Sequence, residues 1–235
     1  MQSLLQRNSD TYLSQKQFNE NASHELQTPL AISINKLELL AERGSLTNED
    51  GETIGEVIQA LESLKRLNKA LLLLSKIENQ QFVEEQTIRV NDVIAKLVRD
   101  FSDMLRFRDV KVELVENGYF ERLMNSNLAE ILIMNLLKNA IVHNSPGGII
   151  KVTITASWLS IENSGVPDPM DNEKMFERFY KRSTESGSTG LGLAIVKAIA
   201  ALYDLSVAYE FNHSMHKFVI QPGIAIGADT VHGHS

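Results

Sequence analysis

Residues 128–142, Leu128-Ala129-Glu130-Ile131-Leu132-Ile133-Met134-Asn135-Leu136-Leu137-Lys138-Asn139-Ala140-Ile141-Val142, decide the fold. The run holds no glycine or proline, is too long for an ordinary strand, and is apolar almost all round a helix. That is the pattern of a helix buried in a core. Asn135 and Asn139 interrupt it, four apart on one face, and His143 continues that face. Buried amides must find partners. Either backbone groups satisfy this pair, or it coordinates magnesium and the phosphate oxygens that accompany it.

Outward from this helix the texture is mixed. Short β-branched or apolar runs at Val110–Val115, Ile149–Thr155, Trp158–Ile161, Leu205–Phe211 and Phe218–Gln221 predict strands. Val90–Phe107 and Leu191–Tyr203 predict further helices. Strands and helices of these lengths predict an α/β sandwich with helices on one face of a sheet.

Upstream of Gln80–Thr87 the pattern is helical throughout. Phe18, Ala22, Leu26, Leu30, Ile34, Leu37 and Ala41 form one apolar stripe, and Ile54, Val57, Leu61, Leu64, Leu67, Leu71 and Leu74 a second. Polar residues between Gly44 and Gly51 separate them, so the two helices form a hairpin. A lone hairpin buries both stripes poorly, and pairing with a second copy into a four-helix bundle solves this. The expected class is therefore α+β, with a dimerising helical domain over residues 1–82 and an α/β sandwich over 83–235.

Composition narrows the function. The 235 residues are 43% hydrophobic and 23% charged, an ordinary globular balance. Zero cysteines exclude disulfides, thiolate metal sites and a cysteine nucleophile. With 23 basic against 30 acidic residues, a net charge of −7 and no basic block, nucleic acid is not an expected partner. No run of 18 apolar residues occurs, and Met1–Asp10 lacks the order of a secretory signal. The expected location is cytoplasmic, with any membrane attachment supplied by a sensory part outside this chain.

His24 lies on the opposite face from the first apolar stripe, with Asn21, Thr28 and Asn35. A lone helical histidine is ordinarily solvated surface. Here Glu25 can accept from one ring nitrogen and leave the other as a nucleophile. Thr28 adds a hydroxyl one turn on, and Pro29 removes a backbone donor beside it. The stretch Asn21-Ala22-Ser23-His24-Glu25-Leu26-Gln27-Thr28-Pro29-Leu30 resembles the phosphoacceptor box of two-component sensor histidine kinases, usually S-H-E-L-R-T-P-L, with Gln27 in place of arginine.

The other boxes follow in the family's order. Asn135-Leu136-Leu137-Lys138-Asn139-Ala140 resembles its N box, which implies Asn139 as magnesium ligand with Asn135 beside it. His143 stands where an aromatic or histidine is usual, but Val142 replaces a usual basic residue. Glu162-Asn163-Ser164-Gly165-Val166-Pro167 occupies the place of the first glycine box, D-x-G-x-G, whose aspartate accepts from the adenine amine. Asn163 and Pro167 both depart from it, and by themselves these residues read equally well as a strand-ending turn. Met175-Phe176-Glu177-Arg178-Phe179-Tyr180-Lys181 resembles the phenylalanine box, with Lys181 or Arg182 in reach of the terminal phosphate; an amphipathic turn alone would also account for the aromatics. Gly187-Ser188-Thr189-Gly190-Leu191-Gly192-Leu193, opening a helix, resembles the second glycine box, where backbone amides meet phosphate.

The resemblance spans roughly residues 14–221. It implies an ATP-binding domain of the gyrase, chaperone and histidine kinase superfamily, with ATP and Mg2+ as cofactors. It implies transfer of the terminal phosphate to His24 and then to an aspartate of a response regulator receiver domain, in a homodimer. Glu25 and Thr28 are implied in regulator dephosphorylation as well. The departures keep open a degenerate nucleotide- or regulator-binding module, and the chemistry of Thr28 an enzyme dominated by phosphatase activity. Because the Asn163 amide lacks charge, Asn163→Asp is expected to tighten ATP binding.

Overall fold

The computed structural model describes residues 26–42, 47–181 and 188–223. The chain divides into two compact units: the described residues of Met1–Val83 with Glu173–Ala198, and those of Glu84–Asn172 with Ile199–Ser235.

In the first unit, residues 26–41 are helical (α1) and continue through Pro29. Ser33 Oγ donates to the Pro29 carbonyl at 2.8 Å. Helix α2, Asn48–Glu78, opens on a capping box: Thr47 accepts from the Asp50 amide, and the Asp50 carboxylate accepts from the Thr47 amide. The Thr47 hydroxyl, which also donates to that carboxylate at 2.6 Å, and after it the Thr47 amide hold the Asp50 carboxyl below its usual range. Leu30, Ile34, Leu72, Leu74 and Ile77 are buried, whereas Leu26, Val57 and Leu64 of the two stripes are exposed.

The second unit carries β1 (Gln86–Arg89), α3 (Val90–Asp100), α4 (Ser102–Phe107), β2 (Lys111–Asn117), β3 (Glu121–Met124), α5 (Ser126–Val142), β4 (Ile149–Thr155) and β5 (Leu159–Ser164). After α6 (Gly192–Leu202), which begins in the first unit, come β6 (Leu205–Asn212) and β7 (Met215–Pro222). The main sheet runs β2-β4-β5-β7-β6, with β2 parallel to β4 and every other pair antiparallel. Strands β1 and β3 form a separate antiparallel pair.

The predicted helix over 90–107 is two helices, because Phe101 closes α3 and starts α4. The last strand begins at Met215 instead of Phe218, and the strand expected from Trp158 begins at Leu159 and extends to Ser164.

Helix α5 packs against β5 and α3. Its N-cap, Asn125, is a buried amide with full employment: Oδ1 accepts from the Asn127 and Leu128 amides, and Nδ2 donates to the Glu84 carbonyl. Its backbone amide donates to the Tyr203 hydroxyl, whose own ionisation burial pushes up.

Strand register gives the sheet three rows of side chains on one face. The middle row is Leu114–Val152–Ile161–Phe218–Tyr209, and the next is Glu116–Ile154–Leu159–Ile220–Val207. The end row, Val112–Ile150–Asn163–His216–Phe211, contains two buried polar side chains side by side.

Candidate functional site

That end row meets the C-terminal end of α5. Ser164 Oγ donates to Asn144 Oδ1 at 2.7 Å and accepts from the Ile149 amide at 2.9 Å, while Asn144 Nδ2 donates to the Ile149 carbonyl. This network ties the loop after α5 to the end of β5. Gly165, the next residue, is pressed between the two: a Cβ there would lie 2.9 Å from the His143 carbonyl oxygen and 2.9 Å from His216 Cδ2. Only hydrogen fits, so glycine at 165 follows from close approach.

Asn163 is 1% exposed, and its Nδ2 donates to the Ser164 carbonyl at 2.9 Å. This leaves Oδ1 as the acceptor, the polarity an exocyclic amine requires. It also opposes the expected gain from Asn163→Asp. Aspartate cannot donate to Ser164 and would place a carboxylate against that carbonyl in a buried site.

On α5, Asn135 Nδ2 bonds back to the Ile131 carbonyl at 2.8 Å, so the backbone reading holds for half of this amide. The Asn139 side chain makes no hydrogen bond among the described residues and is only partly buried. Its amide oxygen is therefore available to a cation, and magnesium ordinarily takes few protein ligands beside phosphates and water. His143 caps α5, its amide bonding the Asn139 carbonyl.

Val142 has no positive charge to offer, but its carbonyl accepts from Arg108 Nη1 at 2.9 Å. Helix α5 has no basic residue in its own last turn, and this guanidinium supplies one where the helix dipole favours it.

The remaining candidates belong to the first unit. Thr28 is exposed on α1, as is Asn35. Gly190 has φ +67°, and a Cβ there would meet the Phe179 carbonyl carbon at 2.8 Å. Phe179, itself at φ +66°, donates its amide to the Gly190 carbonyl at 2.9 Å. Phenylalanine box and second glycine box are thus clasped backbone to backbone. Phe179 is 54% exposed, while Met175 is buried and Lys197 lies over the Phe176 ring. Leu191 is fully buried just before Gly192 opens α6, and Lys181 is exposed. Arg178 pairs with Glu78 at the end of α2. His24, Glu25, Arg182 and Gly187 lie outside the described residues.

Sequence reasoning missed His216 and Tyr209. His216 Nε2 lies 3.0 Å from the Val166 carbonyl, and its Nδ1 lies 2.7 Å from Tyr209 Oη. The period-two alternation His216, Phe218, Ile220 was the available signal, since it places the histidine on the apolar face.

Comparison with known proteins assigns the class. A histidine kinase-, DNA gyrase B- and HSP90-like ATPase domain matches residues 124–222. A His kinase A phospho-acceptor domain matches residues 14–80. With these two in this order, the chain belongs to the sensor histidine kinases and carries their kinase core.

It is 33% identical over 205 residues to the heme sensor protein HssS of Staphylococcus saprophyticus, covering 82% of this chain and 43% of that protein. It is 29% identical over 212 residues to the sensor histidine kinase RppB of Synechocystis, covering 85% and 47%. The chain thus spans a little under half the length of these relatives. In fold it is similar to the Acinetobacter baumannii histidine kinase AdeS, with TM-score 0.61 at 24% identity, over 86% of this chain and 98% of that one.

Proposed function

We propose that this chain binds magnesium ATP, transfers the terminal phosphoryl group to His24, and passes it to an aspartate of a response regulator receiver domain. The observation that carries this reading is the joining of a phosphoacceptor domain and an ATPase domain in one chain. The unpartnered Asn139 amide and the remaining acceptor of Asn163 support a nucleotide end to the sheet. In this reading the domains are 1–82 and 83–235, and the helical one pairs with a second copy through stripes whose Val57 and Leu64 are exposed here. It works in the cytoplasm; no described helix is long and apolar enough to cross a membrane.

Asn163 Oδ1 accepts from the adenine amine, and Gly165 lets the backbone come close to the base. Asn139, with Asn135 beside it, holds the magnesium, which neutralises phosphate charge when bound. His143 lies at the end of the same helix face, and Lys181 or Arg182 serves the terminal phosphate. Gly187, Gly190, Leu191 and Gly192 take the phosphate-binding role of the second glycine box. Glu25 accepts from one ring nitrogen of His24, and the other nitrogen attacks phosphorus in line. A nitrogen–phosphorus bond forms as the bond to the ADP oxygen breaks, and positioning with charge neutralisation does most of the work. Thr28 orients water against the regulator's acyl phosphate in the reverse task.

Incubation with ATP labelled in the terminal phosphate tests this. Label should appear on His24, vanish in His24→Gln with ATP affinity unchanged, and vanish in Asn139→Ala through lost nucleotide binding. Acid-labile label persisting in His24→Gln would show that another residue accepts the phosphate. A wild-type chain that binds ATP and never labels would be the degenerate module.

A further inference from the structure

The residues assigned to the nucleotide leave His216 and Tyr209 unused, although His216 is the cross-strand partner of Asn163. His216 is 6% exposed and both ring nitrogens are engaged. The Val166 carbonyl can only accept, so Nε2 carries the proton. In the neutral ring Nδ1 is then the lone-pair nitrogen and accepts from the Tyr209 hydroxyl. That hydroxyl in turn accepts from the Met170 amide at 3.1 Å. The chain of bonds runs from Met170 through Tyr209 and an Nε2–H ring to Val166.

Both ends of this chain lie in the segment directly after Gly165. Val166 is 62% exposed, and Pro167, Asp168 and Pro169 are exposed too, so burial does little to fix their path. Pro167 stands where the family pattern has glycine. The Asp168 amide donates to the Val166 carbonyl at 2.7 Å, a three-residue turn whose centre suits the fixed φ of proline. The Val166 carbonyl therefore accepts twice, once from this turn and once from His216. On its other side the His216 ring, together with the His143 carbonyl, forbids a Cβ at Gly165.

We propose that His216 and Tyr209 are positioning residues of the nucleotide site, bracing Gly165–Met170 from the β6–β7 hairpin so that the glycine box keeps one path beside Asn163. This rests on the nucleotide reading above. The proline turn gives the segment its shape, and the histidine–tyrosine pair fastens it to the sheet.

Calorimetric titration of the whole chain with magnesium ATP tests the brace in wild type, Tyr209→Phe, His216→Phe and His216→Gln. Tyr209→Phe keeps the ring packed on Phe218 and should weaken ATP binding about fivefold, one hydrogen-bond link, with little change in melting temperature. His216→Phe should lose at least as much, and His216→Gln should recover part of it because its amide can donate to Val166. Nitrogen-15 spectra of the wild type should show His216 as the Nε2–H tautomer. An Nδ1–H tautomer overturns the assignment even if His216→Phe fails to fold. Wild-type affinity in Tyr209→Phe and His216→Phe, with binding still abolished by Asn139→Ala, overturns the brace alone. A wild type that binds no magnesium ATP overturns the nucleotide reading and the brace with it.

Discussion

Helices α2 and α5 both carry long apolar runs, yet they are stabilised differently. Helix α2 has 31 residues and buries Asn68, Leu72, Leu74 and Ile77, all in its C-terminal third. Helix α5 has 17 residues and buries eight, spread along its length. Roughly 1.5–3 kcal/mol accompanies each large apolar side chain fully removed from water, so α5 draws its stability from its own unit. Much of the apolar stripe of α2 is left without that support, and Val57 and Leu64 remain 42% and 49% exposed. In the proposed reading, a second copy of the chain covers that stripe.

The largest expected effect separates the two helices directly. Leu132→Ala in α5 removes a side chain 3% exposed and should destabilise the sheet unit by about 2–5 kcal/mol. Leu64→Ala should cost it no more than about 0.5 kcal/mol. Urea unfolding followed by Trp158 fluorescence measures both, and equal shifts would mean that α2 is not the less supported helix. Leu64→Glu should instead act on assembly, moving the chain from dimer to monomer in sedimentation at micromolar concentration. A wild type already monomeric there would remove the dimer from the proposal.

Within the sheet unit, Asn163→Asp sharpens the contrast between a site residue and a helix residue. A charged acceptor favours the adenine bond, while the lost bond to Ser164 and the buried carboxylate oppose it. ATP affinity should change by less than about threefold, with a lower melting temperature. Tenfold tighter binding would show that the Ser164 bond contributes nothing. The smallest effect belongs to the α2 cap. Asp50 is held below its ordinary range by Thr47, so its contribution is present above the unfolded carboxyl value and lost as pH falls through the folded one. Asp50→Ala should weaken the start of α2 at neutral pH, and the difference from wild type should close in strong acid, below the folded carboxyl value. Circular dichroism at both pH values checks it; a difference that survives acid would assign the effect to helix propensity.

What the sequence disclosed follows the strength of each physical signal. The all-round apolar run of α5 and the β-branched run of β4 admit one reading, and β4 is Ile149–Thr155 as expected. Strands β1 and β3 were missed because Gln86-Thr87-Ile88-Arg89 and Glu121-Arg122-Leu123-Met124 each bury a single residue and alternate nothing. The break at Phe101 carries no glycine or proline to announce it. At the candidate site, the motifs single out Asn139 and Gly165, while the steric reason for a glycine at 165 lies in two distant histidines, His143 and His216. His216 itself was hidden behind Lys217, which separates it from the apolar run Phe218–Ile220. The commitment of the Asn163 amide to Ser164 is a matter of rotamer, which no sequence pattern encodes.

The single parallel pair in the sheet bears on the order of assembly. Strands β6 and β7 form a hairpin closing at Asn212 opposite Met215, whereas β2 joins β4 with Lys111 opposite Ile149, across β3 and α5. Loop closure costs more for the longer excursion, and non-local pairing is slow. The hairpin bearing Tyr209 and His216 thus closes early, and the β2 edge waits for its crossover to collapse. In pulse-labelled hydrogen exchange, amides of β6 and β7 should become protected before those of β2, so that the chain lays the β6–β7 hairpin as a foundation and adds the opposite edge of the sheet last.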